Sequence, residues 1–195
     1  MYFHSSFPTL IGNSELNSIS DQDLFQFKEC IEDFGYVEVG VKSSLLIHRY
    51  TKEQRILDHP IFKILKQEIL QNSKKYLDKL SIPYQDLQIS NSWGVKFDKE
   101  EYGNKHAHFN SLISGVYYLT EGAQIRFYDP LDDKWFYQSG IEKHITFTSS
   151  INSLLFFPSF LYHEVAKSEK DNRYSIAFNI IPKGEFSTET QKLYL

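Results

Sequence analysis

RYSIAFNII, residues 173–181, alternates without a break. Arg173, Ser175, Ala177 and Asn179 fall on one face of an extended chain, and Tyr174, Ile176, Phe178 and Ile180 on the other. Toward the N-terminus the same aromatic and β-branched character returns in SLLFFP, HITFTS, KWFYQS, AQIRFYDP, HAHFNSLISGVYYL and LQISNSWGVKF. Turn formers separate these pieces: Gly103-Asn104, Glu121-Gly122, Asp129-Pro130, Asp132-Asp133 and Ser139-Gly140. Seven or eight short strands at near-regular spacing after residue 87 predict a β-sandwich or short barrel.

The first 86 residues read differently. FPTLIG, broken by Pro8 and Gly12, predicts an extended arm over residues 1–13. A helix is expected from Ser20, where Ser20 or Asp21 can accept from the free N–H groups of the first turn. Leu24, Phe27, Ile31 and Phe34 recur on one side of it, and Gly35 ends it. Residues 36–51 predict a strand, a turn near residues 42–44 and a second extended piece. Asp58-His59-Pro60 opens a second helix, with Asp58 or His59 as cap and an apolar stripe of Ile61, Ile64, Leu65, Ile69, Leu77 and Leu80 that packs on a sheet. Helices followed by a run of strands make a mainly β, α+β domain with helices outside one sheet.

Composition narrows the function. At 195 residues the chain suits one domain, and its 16 Phe, 13 Tyr and 2 Trp favour pleated, half-buried surfaces. A net charge of −4 and the lack of a basic run exclude a footprint for duplex nucleic acid. A single cysteine, Cys30, excludes an intrachain disulfide and fits a reducing, cytoplasmic compartment. No apolar stretch approaches the roughly 20 residues of a spanning helix, so no membrane partner is expected.

Chemistry concentrates in two stretches. His106 and His108, at i and i+2 ahead of SGVYYL, can present two imidazoles to one side. His163 follows LLFFPSFLY and would stand at a strand end facing a cavity mouth. A third ligand from another strand completes a facial triad with open positions. Ten residues later, Arg173 points its guanidinium to the inner face of its strand. There it needs an anion, either Glu164 or Asp129 of this chain or the carboxylate of a ligand. Asn91, Trp93, Arg126, Asp129 and Asn179 are candidates for substrate contact; His4, His48, His59 and His144 have no spacing that distinguishes them.

HAH, SGVYYL, FPSFLYH and R-Y-S together resemble the Fe(II)- and 2-oxoglutarate-dependent oxygenases, and within them a small group with an H-x-H…SGVYYL signature, of a type met in marine bacteria and phages. The resemblance covers residues 87–182. It implies a double-stranded β-helix, a cupin-like jelly roll, preceded by the arm and helices of residues 1–86. It also implies Fe(II), 2-oxoglutarate and O2 as cofactor and cosubstrates, and hydroxylation with release of succinate and CO2.

By the same resemblance His106 and His163 match the two histidine ligands, and His108 stands where an aspartate is usual. Arg173 and Ser175 match the R-x-S that pairs with the distal carboxylate of 2-oxoglutarate, and Ser114 and Tyr118 match further contacts to that carboxylate. The imidazole at residue 108 keeps Zn²⁺ and Mn²⁺ in play as metals, and Asn110 is a neighbouring alternative ligand. A three-histidine cupin-type enzyme that does not use 2-oxoglutarate, and a non-catalytic jelly-roll binding module, are the alternatives. A small molecule or a protein side chain is the expected substrate, and a homodimer is compatible with the sequence.

Overall fold

The computed structural model describes residues 8–40, 48–131, 143–186 and 193–194. The segment 41–47 with its expected turn, KWFYQS, and His4 lie outside these residues. Within them the chain runs β1 (Gly12–Glu15), α1 (Asp21–Asp33), β2 (Tyr36–Val39), β3 (His48–Thr51), α2 (Lys63–Leu80), β4 (Asp86–Phe97), β5 (Gly103–His106) and β6 (Ile113–Tyr118). It continues through β7 (Gln124–Tyr128), β8 (His144–Thr148), β9 (Ser153–Pro158), β10 (His163–Val165), β11 (Arg173–Lys183) and the short pair β12 (Glu185–Phe186) and β13 (Leu193–Tyr194).

Both helices start as their sequence dictates. Ser20 accepts from the backbone N–H of Asp23, and the Asp23 carboxylate accepts from the backbone N–H of Ser20 at 2.9 Å, a reciprocal cap. Gly35, at φ +62°, takes the left-handed turn that stops α1. His59 caps a single 3₁₀ turn, Pro60–Phe62, which runs straight into α2. Leu65, Ile69 and Leu77 of the expected stripe are fully buried, but Ile64 is 46% exposed. It lies on the outer side of α2, one position before the buried Leu65, and the helix buries Ser73 and Tyr76 as well.

The helices cover one face of a seven-stranded antiparallel sheet ordered β1-β9-β6-β11-β4-β3-β2. Three of these strands come from the first 86 residues, so that part of the chain supplies sheet edges as well as arm and helices. On β11, Tyr174, Ile176, Phe178 and Ile180 join Phe27, Ile31, Leu65, Ile69 and Leu77 in the larger core. That is the face the alternation of residues 173–180 assigns. Close approach makes two glycines necessary. A Cβ at Gly94 would lie 2.8 Å from Ile31, and one at Gly115 would lie 2.3 Å from the Phe178 ring.

The second face of this sheet looks at a four-stranded antiparallel sheet, β5-β10-β7-β8. Tyr118, Ile125, Phe127, Leu155, Phe157 and Leu161 fill the space between them. Two facing antiparallel sheets with helices outside one of them form the expected jelly roll. Among the described residues no helix is long and apolar enough to cross a membrane.

Candidate metal and anion site

His106 ends β5 and His163 begins β10, and the two strands pair with these residues opposite each other. His108 follows in the loop before β6, where its backbone N–H donates to the carbonyl of Ser159 at 2.8 Å. The ring nitrogens of His106, His108 and His163 all come within 4.8 Å of one another. His106 Nδ1 lies 2.7 Å from the carbonyl of Asn104, and His163 Nδ1 lies 2.9 Å from that of Leu161. Each Nδ1 carries the proton in such a contact, which leaves the Nε2 lone pair free for a metal. Burial, and secondarily the charge of His106, lowers the pKa of His108 to about 4 and of His163 to about 3. Both rings are therefore neutral, the form that ligates.

Arg173 opens β11 and lines the same cavity of about 270 Å³. It is buried, its Cζ lies 4.3 Å from the centre of the Phe97 ring, and its Nη1 and Nη2 have no hydrogen-bond partner among the described residues. Neither acid named as a possible partner reaches it. Glu164 pairs with Arg126 at 2.9 Å, and the Asp129 carboxylate accepts from the N–H of Leu131. Burial lowers the Arg173 pKa to about 10, partly offset by the Tyr118 phenol, and burial raises that of Tyr118. A guanidinium left this way needs an anion that the described residues do not supply. Three free imidazole lone pairs and an orphaned guanidinium in one cavity fit a divalent metal and a carboxylate ligand together.

The remaining candidates separate. Ser175 lies directly across from Tyr118 in the β6–β11 pairing, and both line the cavity beside Arg173. Ser114 lines it too, but lies four residues along β6, opposite Asn179. At the rise of a strand that is about 13 Å from Tyr118. Ser114 is instead tied into a hydroxyl and amide network. Its hydroxyl donates to Asn179 Oδ1 at 2.6 Å and meets Ser159 Oγ at 2.9 Å.

Trp93 lines the cavity, its ring 5.9 Å from that of His108. Asn91 is outside the lining and accepts from Asn179 Nδ2 at 2.9 Å. Arg126 is also outside it. It neighbours the inward-facing Ile125 on β7, so strand alternation sends it outward to Glu164.

Sequence reasoning missed His48. It lines the cavity and stacks on Phe97 at 5.7 Å between ring centres. Nothing local signals this, because the contact depends on β3 pairing with β4, more than forty residues away.

Residues 91–179 match the family described as "putative 2OG-Fe(II) oxygenase". Among curated proteins none matches the sequence. Solved structures share the fold. The non-heme alpha-ketoglutarate-dependent carbocyclase SnoK from nogalamycin biosynthesis superposes with a TM-score of 0.67 at 12% identity, over 94% of this chain and 84% of its own. HygX from Streptomyces hygroscopicus, with nickel and 2-oxoglutarate bound, gives 0.64 at 12% identity, over 89% and 83%. A prolyl-4-hydroxylase from Pseudomonas putida gives 0.60 at 13% identity, over 90% and 94%.

Proposed function

Because residues 91–179 carry the core of an Fe(II)- and 2-oxoglutarate-dependent oxygenase, we propose that His106, His108 and His163 hold its metal and that Arg173 anchors its oxo-acid. Iron with 2-oxoglutarate and O2 supplies the oxidising chemistry, which hydroxylates a substrate and releases succinate and CO2. The residues of this chain position and insulate it. Locked Nδ1 contacts aim two imidazoles, while Tyr118 and Ser175 stand beside Arg173 where a distal carboxylate would sit. Val95, Val116, Ile125, Phe157 and Val165 line the cavity and keep water from the reacting groups. Trp93 is the wall against which a substrate, a small molecule or a protein side chain, would lie. A cytoplasmic location agrees with the single cysteine.

The observation that carries this reading is the buried guanidinium without a partner in the cavity of the three histidines. It is tested by anaerobic titration of the iron-loaded protein with 2-oxoglutarate, followed in the visible range. The expected result is a weak charge-transfer band that Arg173→Ala shifts to far higher 2-oxoglutarate concentration. No band in the wild type, or the same titration curve in Arg173→Ala, overturns it.

A further inference from the structure

Among the described residues no acidic side chain lines the cavity. Its polar wall consists of the imidazoles, Arg173, Asn104 and the hydroxyls of Ser114, Tyr118 and Ser175. Carboxylates on the surrounding strands and loops are engaged elsewhere. Arg49 takes Asp98 at 2.7 Å and Glu101 at 2.8 Å, and Arg126 takes Glu164. The described residues therefore contribute positive charge here and no negative charge. A divalent metal on three neutral imidazoles, taken with Arg173, exceeds the charge of a 2-oxoglutarate dianion by one. Leaving that excess beside apolar walls is costly, and an anion relieves it where a neutral molecule cannot.

His48 supplies a place for such an anion. Its ring lines the cavity and stacks on Phe97, the same ring against which Arg173 lies. Among the described residues its ring makes no hydrogen bond. Trp93, four residues along β4 from Phe97, adds a large apolar surface to the same cavity beside His108. We infer that the substrate carries a carboxylate, that His48 receives it while Trp93 packs on the rest of the molecule, and that the three-histidine ligand set is what leaves room for its charge. This rests on the oxygenase reading above.

The test is calorimetry under nitrogen on the zinc-loaded protein saturated with 2-oxoglutarate. Acetate and benzoate are titrated, each against its neutral amide, acetamide and benzamide, and chloride is titrated alone. At least one carboxylate should bind about tenfold or more tightly than its amide, and more tightly than chloride, which corresponds to a charge-assisted hydrogen bond. His48→Phe keeps the stack on Phe97 and removes the N–H. It should weaken that carboxylate about tenfold while 2-oxoglutarate affinity is unchanged. His108→Asp neutralises the excess and should weaken it by a similar factor.

Equal binding of every carboxylate and its amide overturns the inference, as does wild-type carboxylate affinity in His48→Phe. Chloride binding as tightly as the carboxylates overturns it in favour of a free inorganic anion. Failure of the wild type to bind 2-oxoglutarate, measured first, counts instead against the oxygenase reading.

Discussion

The N–H of His108 donates to the carbonyl of Ser159, so the two loops that carry His108 and His163 are tied to each other before any metal arrives. Ser159 is itself buried, and its hydroxyl meets those of Ser111 at 3.0 Å and Ser114 at 2.9 Å. The network continues through Asn179 to Asn91 and Ser90. Ser159→Ala keeps the carbonyl but leaves Ser111 without its partner and loosens this junction. It should cost about 1–2 kcal/mol of stability and lower metal affinity about tenfold, because supporting contacts orient the ligands. Competition against a chromogenic zinc chelator, alongside urea denaturation, measures both. Unchanged metal affinity would show that the hydroxyl network around Ser159 does not orient His108.

Arg173 trades stability for binding. A buried guanidinium with both terminal nitrogens unpartnered is a cost in the ligand-free protein. Arg173→Met fills the same space without the charge, and should stabilise the ligand-free protein by about 1–3 kcal/mol, or roughly 2–12 °C in Tm for a chain of this size. 2-Oxoglutarate should raise the Tm of the zinc-loaded wild type and leave the variant unmoved. A variant less stable than wild type would mean that stacking on Phe97 outweighs the unpaired charge.

How far the sequence reaches is clearest on β6 and β11. Alternation within RYSIAFN was enough to place Arg173 inward and Phe178 on the helix side, because strand period is a local property. The histidine triad was legible for a similar reason, since two of its members lie two residues apart. Ser114 was not, because the partners of its hydroxyl, Asn179 and Ser159, are brought to it by strand pairing between distant parts of the chain. His48 depends on a pairing between strands far apart in the chain. A pair of substitutions checks the register. Tyr118→Phe should weaken 2-oxoglutarate binding by about tenfold or more, the worth of one hydrogen bond to a charged group. Ser114→Ala should leave it unaltered, and a loss equal to that of Tyr118→Phe would overturn the separation of the two.

Gly115 tests the packing between β6 and β11. Its missing Cβ would lie 2.3 Å from the Phe178 ring and 2.6 Å from the carbonyl of Leu155. Gly115→Ala should therefore destabilise by about 3 kcal/mol or more, as overpacking does in a filled core. Trimming the ring in Gly115→Ala/Phe178→Leu should recover part of that loss, since the two sites share one space. Chemical denaturation of the three variants gives the coupling. Strict additivity would place the strain at the Leu155 carbonyl instead.

Acid should attack the metal-free protein through His108 and His163. Both have folded pKa values below the ordinary imidazole value of 6.5, about 4 and about 3, with burial as the first cause. Between pH 6.5 and those values the unfolded chain binds protons at these rings and the folded chain does not. Stability therefore rises with pH across that window, and is lost as pH falls from about 6.5 toward 3. Acidic groups of the fold act in the lower part of the same window, so the informative range is pH 5–7. There, denaturation midpoints of the metal-free wild type should fall as pH is lowered, and His163→Leu should flatten the dependence by removing the more buried ring. The imidazole nitrogen shifts of both residues should remain those of the neutral ring down to pH 5. A midpoint slope unchanged by His163→Leu, or protonation of His163 near pH 6.5, would mean that its pocket admits water freely.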